Sequence, residues 1–520
     1  MKKYIILFIL LITVMACNKE LDQVNTNQMP STIFWKTDND FNSALAASYK
    51  IFKDVNNGYW GVRGVETTNG RGDDFFIRND VSDLYRLSTF TNSATTGVPG
   101  GMFTGFYTAI FRANQVIKYT QTAQLSDSSK KQYIAEAKFI RGVNYFHIAI
   151  NFGDAPIITK VPDTQNPSEF YSKKSTVSEV YNQAISDLKA AKDSLPLSYP
   201  ATWIGKASRG SAIGYLGKVY VYMKNWAAAE NEFKLLAKTD GTPQAPFTYD
   251  LLTNYADNFD AAKDNNMESL FEIQVQDVGG NNPWAGENAN EGQGVTTAQE
   301  FAPTEVAGWY EAYATEKMFN EFQKEKTTTN DFDPRMYASI VWQYPGAMYY
   351  NIPFDTLKDA VTKKPHYSLP YGFQSRIRKY QNWKMANEQQ HNDNMSDINE
   401  KSLRYADILL MYAEAVTEQQ RPADAYPLVN RIRTRASLAP LTAGFTHDQM
   451  MAEIQHQRMV EFFREGLRFY DLQRWGLAAS AITASDKEGK ENYTAKFALF
   501  PIPQAELDSN PNMTQNDAWK

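Results

Sequence analysis

The stretch Leu216-Gly217-x2-Tyr220, followed after a short turn at Lys224-Asn225 by Ala229-x3-Phe233, restricts the fold more than any other part of this chain. It fits the helix-turn-helix unit of the tetratricopeptide pattern, with Ile213 where that pattern prefers Trp. The physical requirement is a small residue that lets two helices close up and a ring that fills the groove beside it. The pattern returns weakly in Ala413 with Val416, then Ala425 and Val429, after a turn at Gln420-Arg421-Pro422. A broken third copy pairs Gly142 and Tyr145 with Ala184 and Leu188 across a loop. Such units cannot bury their apolar faces alone and therefore stack. The expected class is mainly α: a right-handed, tetratricopeptide-like helical repeat scaffold with an inserted loop-rich lobe containing a few short strands.

Apolar periodicity places further helices at 38–54 (Phe41, Leu45, Ser48, Tyr49, Phe52), 103–120, 130–151 and 176–194. The helix at 130–151 is apolar on more than one face and ends at Asn151-Phe152-Gly153-Asp154-Ala155-Pro156, with Gly and Pro in stopping positions. Towards the C-terminus, 403–415 reads as one helix, 428–436 as a second and 454–476 as a third. The intervening 239–399 is polar and loop-rich, with short strands expected at 269–276 and 339–343. It contains Gly279-Gly280-Asn281-Asn282-Pro283-Trp284, then Trp309, Tyr310 and Tyr313, and Trp342-Gln343-Tyr344-Pro345-Gly346. At 520 residues the chain exceeds the length at which a single core stops growing, so one composite domain or two lobes are expected.

The chain has one cysteine, Cys17, so no internal disulfide is available and packing alone must stabilise the fold. Lys2 and Lys3 precede an apolar run that stops at Val14-Met15-Ala16-Cys17, too short to span a bilayer. This reads as a signal peptide (1–16) and a bacterial lipobox, although Met15 is a less usual residue there; the alternative is an ordinary cleaved signal with a chance cysteine. A diacylglyceryl group on the Cys17 sulfur and an acylated amine would anchor the chain, since each buried methylene contributes about 0.8 kcal/mol. A polar tether (17–35) follows, then an N-terminal helical scaffold with a binding loop (36–238), the loop-rich lobe (239–399), and a C-terminal helical scaffold with a closing motif (400–520).

A formal charge of −6 argues against a polyanion partner, nucleic acid included. The 30 Tyr, 30 Phe and 10 Trp are more rings than a polar chain is expected to hide. Periodicity is lost at 56–83, where Gly58, Gly61, Gly64, Gly70 and Gly72 stand beside Tyr59, Trp60, Phe75, Phe76 and the pair Asp73-Asp74, which suggests a binding loop. Flat Trp and Tyr faces suit the C–H side of a sugar ring, and Asp or Asn suits its hydroxyl rim. Trp60, Trp284, Trp309 and Tyr310 are the candidate rings, and Asn69, Asp73 and Asp74 the candidate rim. The competing reading is that the polar three cap turns. Calcium at Asp73 and Asp74 is a further option, without the spaced oxygen ligands of an EF-hand to support it.

Catalytic readings find little. The five histidines form no His-Glu-x-x-His pair, and Gly217-Lys218-Val219 breaks a phosphate loop. Glu461, Glu465 and Asp471 alternate with Arg464, Arg468 and Arg474, which points to a structural ion network with ionised carboxylates, the wrong state for a general acid.

Several long motifs bear a family resemblance: Leu403-Arg404-Tyr405-Ala406-Asp407, Arg458-Met459-Val460-Glu461-Phe462-Phe463-Arg464-Glu465-Gly466, Asp471-Leu472-x-Arg474-Trp475-Gly476, Phe500-Pro501-Ile502-Pro503 and Asn512-Met513-Thr514-Gln515-Asn516. With the lipobox, 141–156, 209–233 and Asp333-Pro334-Arg335-Met336-Tyr337, the chain closely resembles the SusD/RagB-like family of outer-membrane nutrient-binding lipoproteins. The likeness is weak at 56–92 and 241–308. It implies a surface-exposed, non-enzymatic lipoprotein that binds a glycan and covers a SusC-like TonB-dependent transporter, with Glu20 and Asp22 similar to a surface-export signal. It implies no cofactor beyond the lipid. An exported glycoside hydrolase and a scaffold that binds only proteins are the alternative functions.

Overall fold

The computed structural model describes residues 34–520 apart from 55, 277–296, 303–305, 307, 359–362, 364–374 and 382–395. Its helices in the first half are α1 (Asp38–Lys50), α2 (Val62–Gly70), α3 (Ser82–Ser88), α4 (Gly97–Thr122), α5 (Asp127–Phe152), α6 (Val177–Ser194), α7 (Arg209–Tyr222) and α8 (Trp226–Phe233). The middle third adds the short α9 (Thr297–Phe301), α10 (Glu316–Phe322) and α11 (Pro334–Ser339). The C-terminal part carries α12 (Tyr405–Glu418), α13 (Pro422–Arg435), α14 (His447–Glu461), α15 (Arg468–Arg474), α16 (Ala478–Thr483) and α17 (Gln504–Ser509). Among the described residues, no helix is long and apolar enough to cross a membrane.

Successive antiparallel neighbours α4, α5, α6, α7 and α8 stack side by side, and α8 then packs on α12, which holds α13 and α14. The expected repeat units are the contacts that build this stack. A Cβ on Gly217 would lie 2.3 Å from the Phe233 ring, so only glycine lets α7 and α8 approach as they do. At Gly142 the Cβ position is 3.0 Å from Leu188 and 3.2 Å from the Ala184 carbonyl, which joins α5 to α6 as the broken third copy requires. Boundaries follow local chemistry: Thr176 and Glu179 form a reciprocal capping box at the start of α6, and Gly153 ends α5 at φ +72°.

Among the described residues, eight short strands make four two-stranded antiparallel ribbons. β1 (Phe75–Ile77) pairs with β3 (Ala312–Ala314), β2 (Ser269–Ile273) with β8 (Glu400–Arg404), β4 (Ile340–Trp342) with β7 (Ser375–Ile377), and β5 (Met348–Tyr349) with β6 (Ile352–Pro353). β2 and β4 are the strands expected in the middle third. One hydrophobic core runs from Phe41 to Met513 and takes in Phe271, Phe301, Phe322 and Trp342 from 239–399, so that segment packs onto the helical frame. Smaller clusters lie around Tyr349, around Tyr255 with Tyr380, and around Phe76 with Tyr310 and Tyr313.

Three expectations need correction. Leu403 and Arg404 belong to β8, and the helix begins only at Tyr405, whose N–H donates to the Glu268 carbonyl at 2.7 Å. The helix expected over 454–476 is two helices, α14 and α15, parted by Arg464 at φ +64° and Gly466 at φ +70°. The Gly466 N–H donates to Asn69 Oδ1 at 3.1 Å, and a Cβ there would meet Thr68 at 2.5 Å, so the chain breaks where α2 packs against it. Finally, 56–83 is no open loop: it holds α2, β1 and the start of α3, with nearly every residue from Gly58 to Ile77 buried.

Candidate functional site

The β1–β3 ribbon brings two poorly periodic stretches together. Phe75 faces Ala314, Phe76 faces Tyr313 and Ile77 faces Ala312 across the ladder. The segment leading into β3 is pinned from behind by α9: the Trp309 N–H donates to the Gln299 carbonyl at 2.8 Å, Tyr310 to Ala302 at 2.9 Å and Glu311 to Glu300 at 2.8 Å. On the other side, the Arg78 N–H donates to the Glu311 carbonyl at 2.8 Å and extends the ribbon by one residue. Phe76 and Tyr313 stack at 5.2 Å, and Tyr310 and Tyr313 at 5.3 Å. The Arg376 guanidinium lies 4.6 Å from the Tyr310 ring centre.

Charged side chains rim this ribbon. Arg78 reaches Asp80 through two nitrogens, one at 2.8 Å, and Asp80 is exposed. Arg63, projecting from α2, donates to Glu66 at 3.0 Å and to Glu311 at 3.1 Å, with Glu300 at 3.9 Å. The carboxylates of Glu66, Glu300 and Glu311 lie within 4.8 Å of one another. Burial, then the charges of Glu300 and Glu311, push Glu66 well above the usual carboxylate range. Arg63 keeps its charge against burial through the three glutamates.

The expected site residues separate into three groups. Trp309 is half-buried beside this ribbon. Tyr310 stands beside it but is 6 % exposed, covered by Tyr313 and Arg376. Trp60, Asn69, Asp73 and Asp74 are sealed, contrary to the loop reading. Trp60 packs edge-on to Phe52 at 5.3 Å and His147 at 4.9 Å inside the helical core. Asn69 uses its amide to tie α2 to Gly466.

Asp73 is an ion-pair hub. Arg468 donates to it at 2.7 and 3.0 Å, and the Lys317 ammonium lies at 2.5 Å. Burial opposes its charge, yet Arg468 and Lys317 hold it below the usual carboxylate range. Both Asp73 oxygens are thus engaged by protein cations. Asp74, 1 % exposed, is pushed up to about 7 by burial and by the charge of Asp73. Cys17 and Trp284 lie outside the described residues.

Sequence reasoning missed Arg63, Arg78, Asp80 and Glu311. The i, i+3 spacing of Arg63 and Glu66 was the available signal, but the partners Glu300 and Glu311 come from far along the chain. It also missed Trp203 and Ile204, the most exposed large side chains of the turn before α7, at 42 % and 54 %. The expected carboxylates do lie in an ion network, but of the arginines interleaved with them only Arg474 serves it as expected, since Arg464 pairs with Glu400 and Arg468 with Asp73. Glu461 is surrounded by Arg335, Arg404 and Arg435, Glu465 by Lys379 and Arg404, and Asp471 by Arg458 and Arg474. Burial raises Glu461, but the guanidinium groups of Arg435, Arg404 and Arg335 outweigh it and hold the carboxylate far below its ordinary range.

Comparison with known proteins adds to this geometry. The sequence model of the SusD family matches residues 267–519, and a second, described as starch-binding and associating with the outer membrane, matches 19–221. The chain is 28 % identical to SusD-like protein P2 of Formosa agariphila over 549 aligned positions, 99 % of each chain. It is 29 % identical to the starch-binding protein SusD of Bacteroides thetaiotaomicron over 148 residues, 28 % of this chain and 26 % of that one. Among solved structures, a SusD superfamily protein from Bacteroides vulgatus superposes with a TM-score of 0.81 at 37 % identity, covering 94 % of this chain and all of the other. A laminarin-binding SusD-like protein superposes with a TM-score of 0.76 at 25 % identity, covering 93 % and 99 %.

Proposed function

Because this chain belongs to the SusD family, we propose that it is a carbohydrate-binding protein of a bacterial outer membrane, which captures oligosaccharide or polysaccharide without cleaving it. The observation that carries this reading is the β1–β3 ribbon. The partly exposed Trp309 stands in the segment leading into β3, next to the stacked Tyr310, Tyr313 and Phe76, and Arg63, Arg78 and Asp80 lie along the same ribbon. A sugar ring asks for such a pairing, an apolar face beside charged hydrogen-bonding groups. The names of the relatives support the ligand class: one solved neighbour binds laminarin, and one matching family model is described as starch-binding.

The chain holds the glycan as a surface lipoprotein, anchored by lipid on Cys17, and passes it to a SusC-like TonB-dependent transporter. Trp284 supplies a further ring. The description of association with the outer membrane favours this placement. At this ribbon, the cluster of three glutamates is a poor carboxylate supply for a hydrolytic role. Glu66 and Glu300 are fully buried and Glu311 is 8 % exposed with its carboxylate on Arg63, so a glycosidic bond cannot reach two of them together.

Affinity electrophoresis against a panel of neutral and acidic polysaccharides tests the reading. Retardation by at least one glycan with no shortening of the polymer is expected, and Trp309→Ala should reduce it by about fivefold to tenfold. Retardation by none of them would sink the carbohydrate role, and release of oligosaccharide would replace it with a hydrolase. Cys17→Ala should release the chain from membranes; continued membrane association would remove the lipid anchor.

A further inference from the structure

An exposed apolar ridge on the described surface is far in sequence from Trp309. Between α6 and α7 the chain turns outward at Trp203 and Ile204 before Gly205, at φ +93°, brings it back. A groove of about 480 Å³ lies between this ridge and α1, within the size range of small-ligand sites. Its floor is apolar, formed by Phe52, Phe271 and Ile273, and its rim carries Asn42, Lys50, Lys53, Trp203, Lys206 and Gln274.

The rim is one-sided in charge. Lys206 is held by Glu136 at 3.2 Å and by Asn42 at 2.7 Å, with its ammonium 4.7 Å from the Trp203 ring centre. Lys50 ends α1, Lys53 ends the 3-10 turn Ile51–Lys53 that continues it, and both line the groove. Among the described residues the groove is lined by one acid, Glu272, which is 3 % exposed and already bound by Lys401 at 2.9 Å and Asn399 at 2.8 Å. Burial, then the charge of Lys50, pushes Lys53 down to about 8, so it remains mainly cationic at neutral pH in a place where its charge is poorly solvated. A negative group gains more beside such an ammonium than beside one in bulk water.

We propose that this groove is a second glycan subsite, selective for an anionic sugar residue, with the indole of Trp203 against the ring's C–H face and Lys50 and Lys53 holding a carboxylate or sulfate ester. The charge of the rim selects the ligand class, and the exposed indole beside the amides of Asn42 and Gln274 suits a sugar ring. The inference rests on the carbohydrate reading but uses none of the residues of the β1–β3 ribbon.

The test uses the full-length chain in detergent and affinity electrophoresis in gels carrying polygalacturonate, chondroitin sulfate, laminarin or dextran. An acidic polymer should retard the chain, with the carboxylated and sulfated arms identifying the group. Trp203→Ala and the pair Lys50→Gln/Lys53→Gln should each weaken that retardation by about fivefold to tenfold, and added salt should weaken it further. Retardation by the neutral polymers should be unchanged. Trp203 and both lysines are at least partly exposed, so an unaltered thermal melt is expected and serves as the folding control. Acidic retardation that survives both variants, or equal losses for neutral polymers, overturns the subsite. Retardation by neutral polymers alone also overturns it and leaves the carbohydrate role standing, whereas no retardation in any gel removes both. Loss of a transporter crosslink in Trp203→Ala with every retardation intact would make the ridge a protein contact and overturn it too.

Discussion

Replacing Glu461 by Gln probes the device that substitutes for disulfides in this fold. Among the described residues, Arg335, Arg404, Arg435 and Lys379 meet Asp333, Glu268, Glu461 and Glu465 in one connected group, four positive charges against four negative. The side chains of all eight are at most 4 % exposed. Glu461→Gln leaves one positive charge in excess where water cannot reach it. Breaking a buried pair in this way costs about 3–5 kcal/mol. Each arginine keeps a second carboxylate, which places the expectation near the lower figure. Urea unfolding followed by tryptophan fluorescence measures it. Adding Arg335→Met restores the balance of charge and should recover about 1–3 kcal/mol relative to the sum of the single effects. Because the folded carboxylate lies far below its ordinary value of 4.5, its stabilisation is complete above that pH and is lost only as the pH falls well below it. The difference between variant and parent should therefore shrink in acid. A single-variant cost under about 1 kcal/mol, or strict additivity in the pair, would refute the reasoning.

Gly217→Ala should destabilise the stack. Over-packing against Phe233 costs about 1–3 kcal/mol, partly offset by about 1 kcal/mol of helix propensity. Phe233→Leu in the same background should return part of the loss in urea midpoint. Trp60→Ala, in contrast with Trp309→Ala, should cost about 3–5 kcal/mol because the ring is core, and it should leave glycan retardation of the folded fraction unchanged. His456 gives a pH test. Although burial opposes its charge, Glu321 and Glu325 raise it above 6.5, so its contribution is complete below 6.5 and is lost as the pH rises through the folded value. The stability difference between the parent and His456→Gln should accordingly narrow from pH 6 towards alkaline pH; a constant difference would rule out that linkage.

The frame was legible because its rules are local or nearly so. A small residue and a ring at fixed spacing identified Gly217 with Phe233 and Gly142 with Leu188, since each helix pair closes through those atoms. Alternating acids and arginines after Ile454 identified the ion network, although the break at Gly466 was hidden because its cause, Asn69, comes from the other end of the chain. The site was less legible for the same reason. Lack of period at 56–83 and 297–314 reflected short elements, and the partners that cover them are remote. His147 closes over Trp60, Arg468 over Asp73 and Arg376 over Tyr310. A ring in an irregular stretch is therefore not an exposed ring. Trp203 shows the converse: it stands between Pro200 and Gly205, ordinary turn residues, and the structure leaves it in solvent.

The buried candidates still bear on binding, through position. Asp73 ties β1 to α15 through Arg468 and to α10 through Lys317, and its carbonyl accepts from Thr315 at 3.0 Å just beyond β3. Asn69 fixes α2, which carries Arg63, against the α14–α15 break. The ribbon that presents Trp309 is thus clamped from both strands to the C-terminal helices, with Phe76, Tyr313 and Tyr310 stacked as its backing. A face held in this way loses little conformational freedom when a ligand arrives, which favours affinity from few contacts. The conspicuous side chains of 56–83 make the wall beside which Trp309 is mounted, and on the proposed carbohydrate reading, variation at Trp309 or in the neighbouring charges alters the ligand without disturbing that wall.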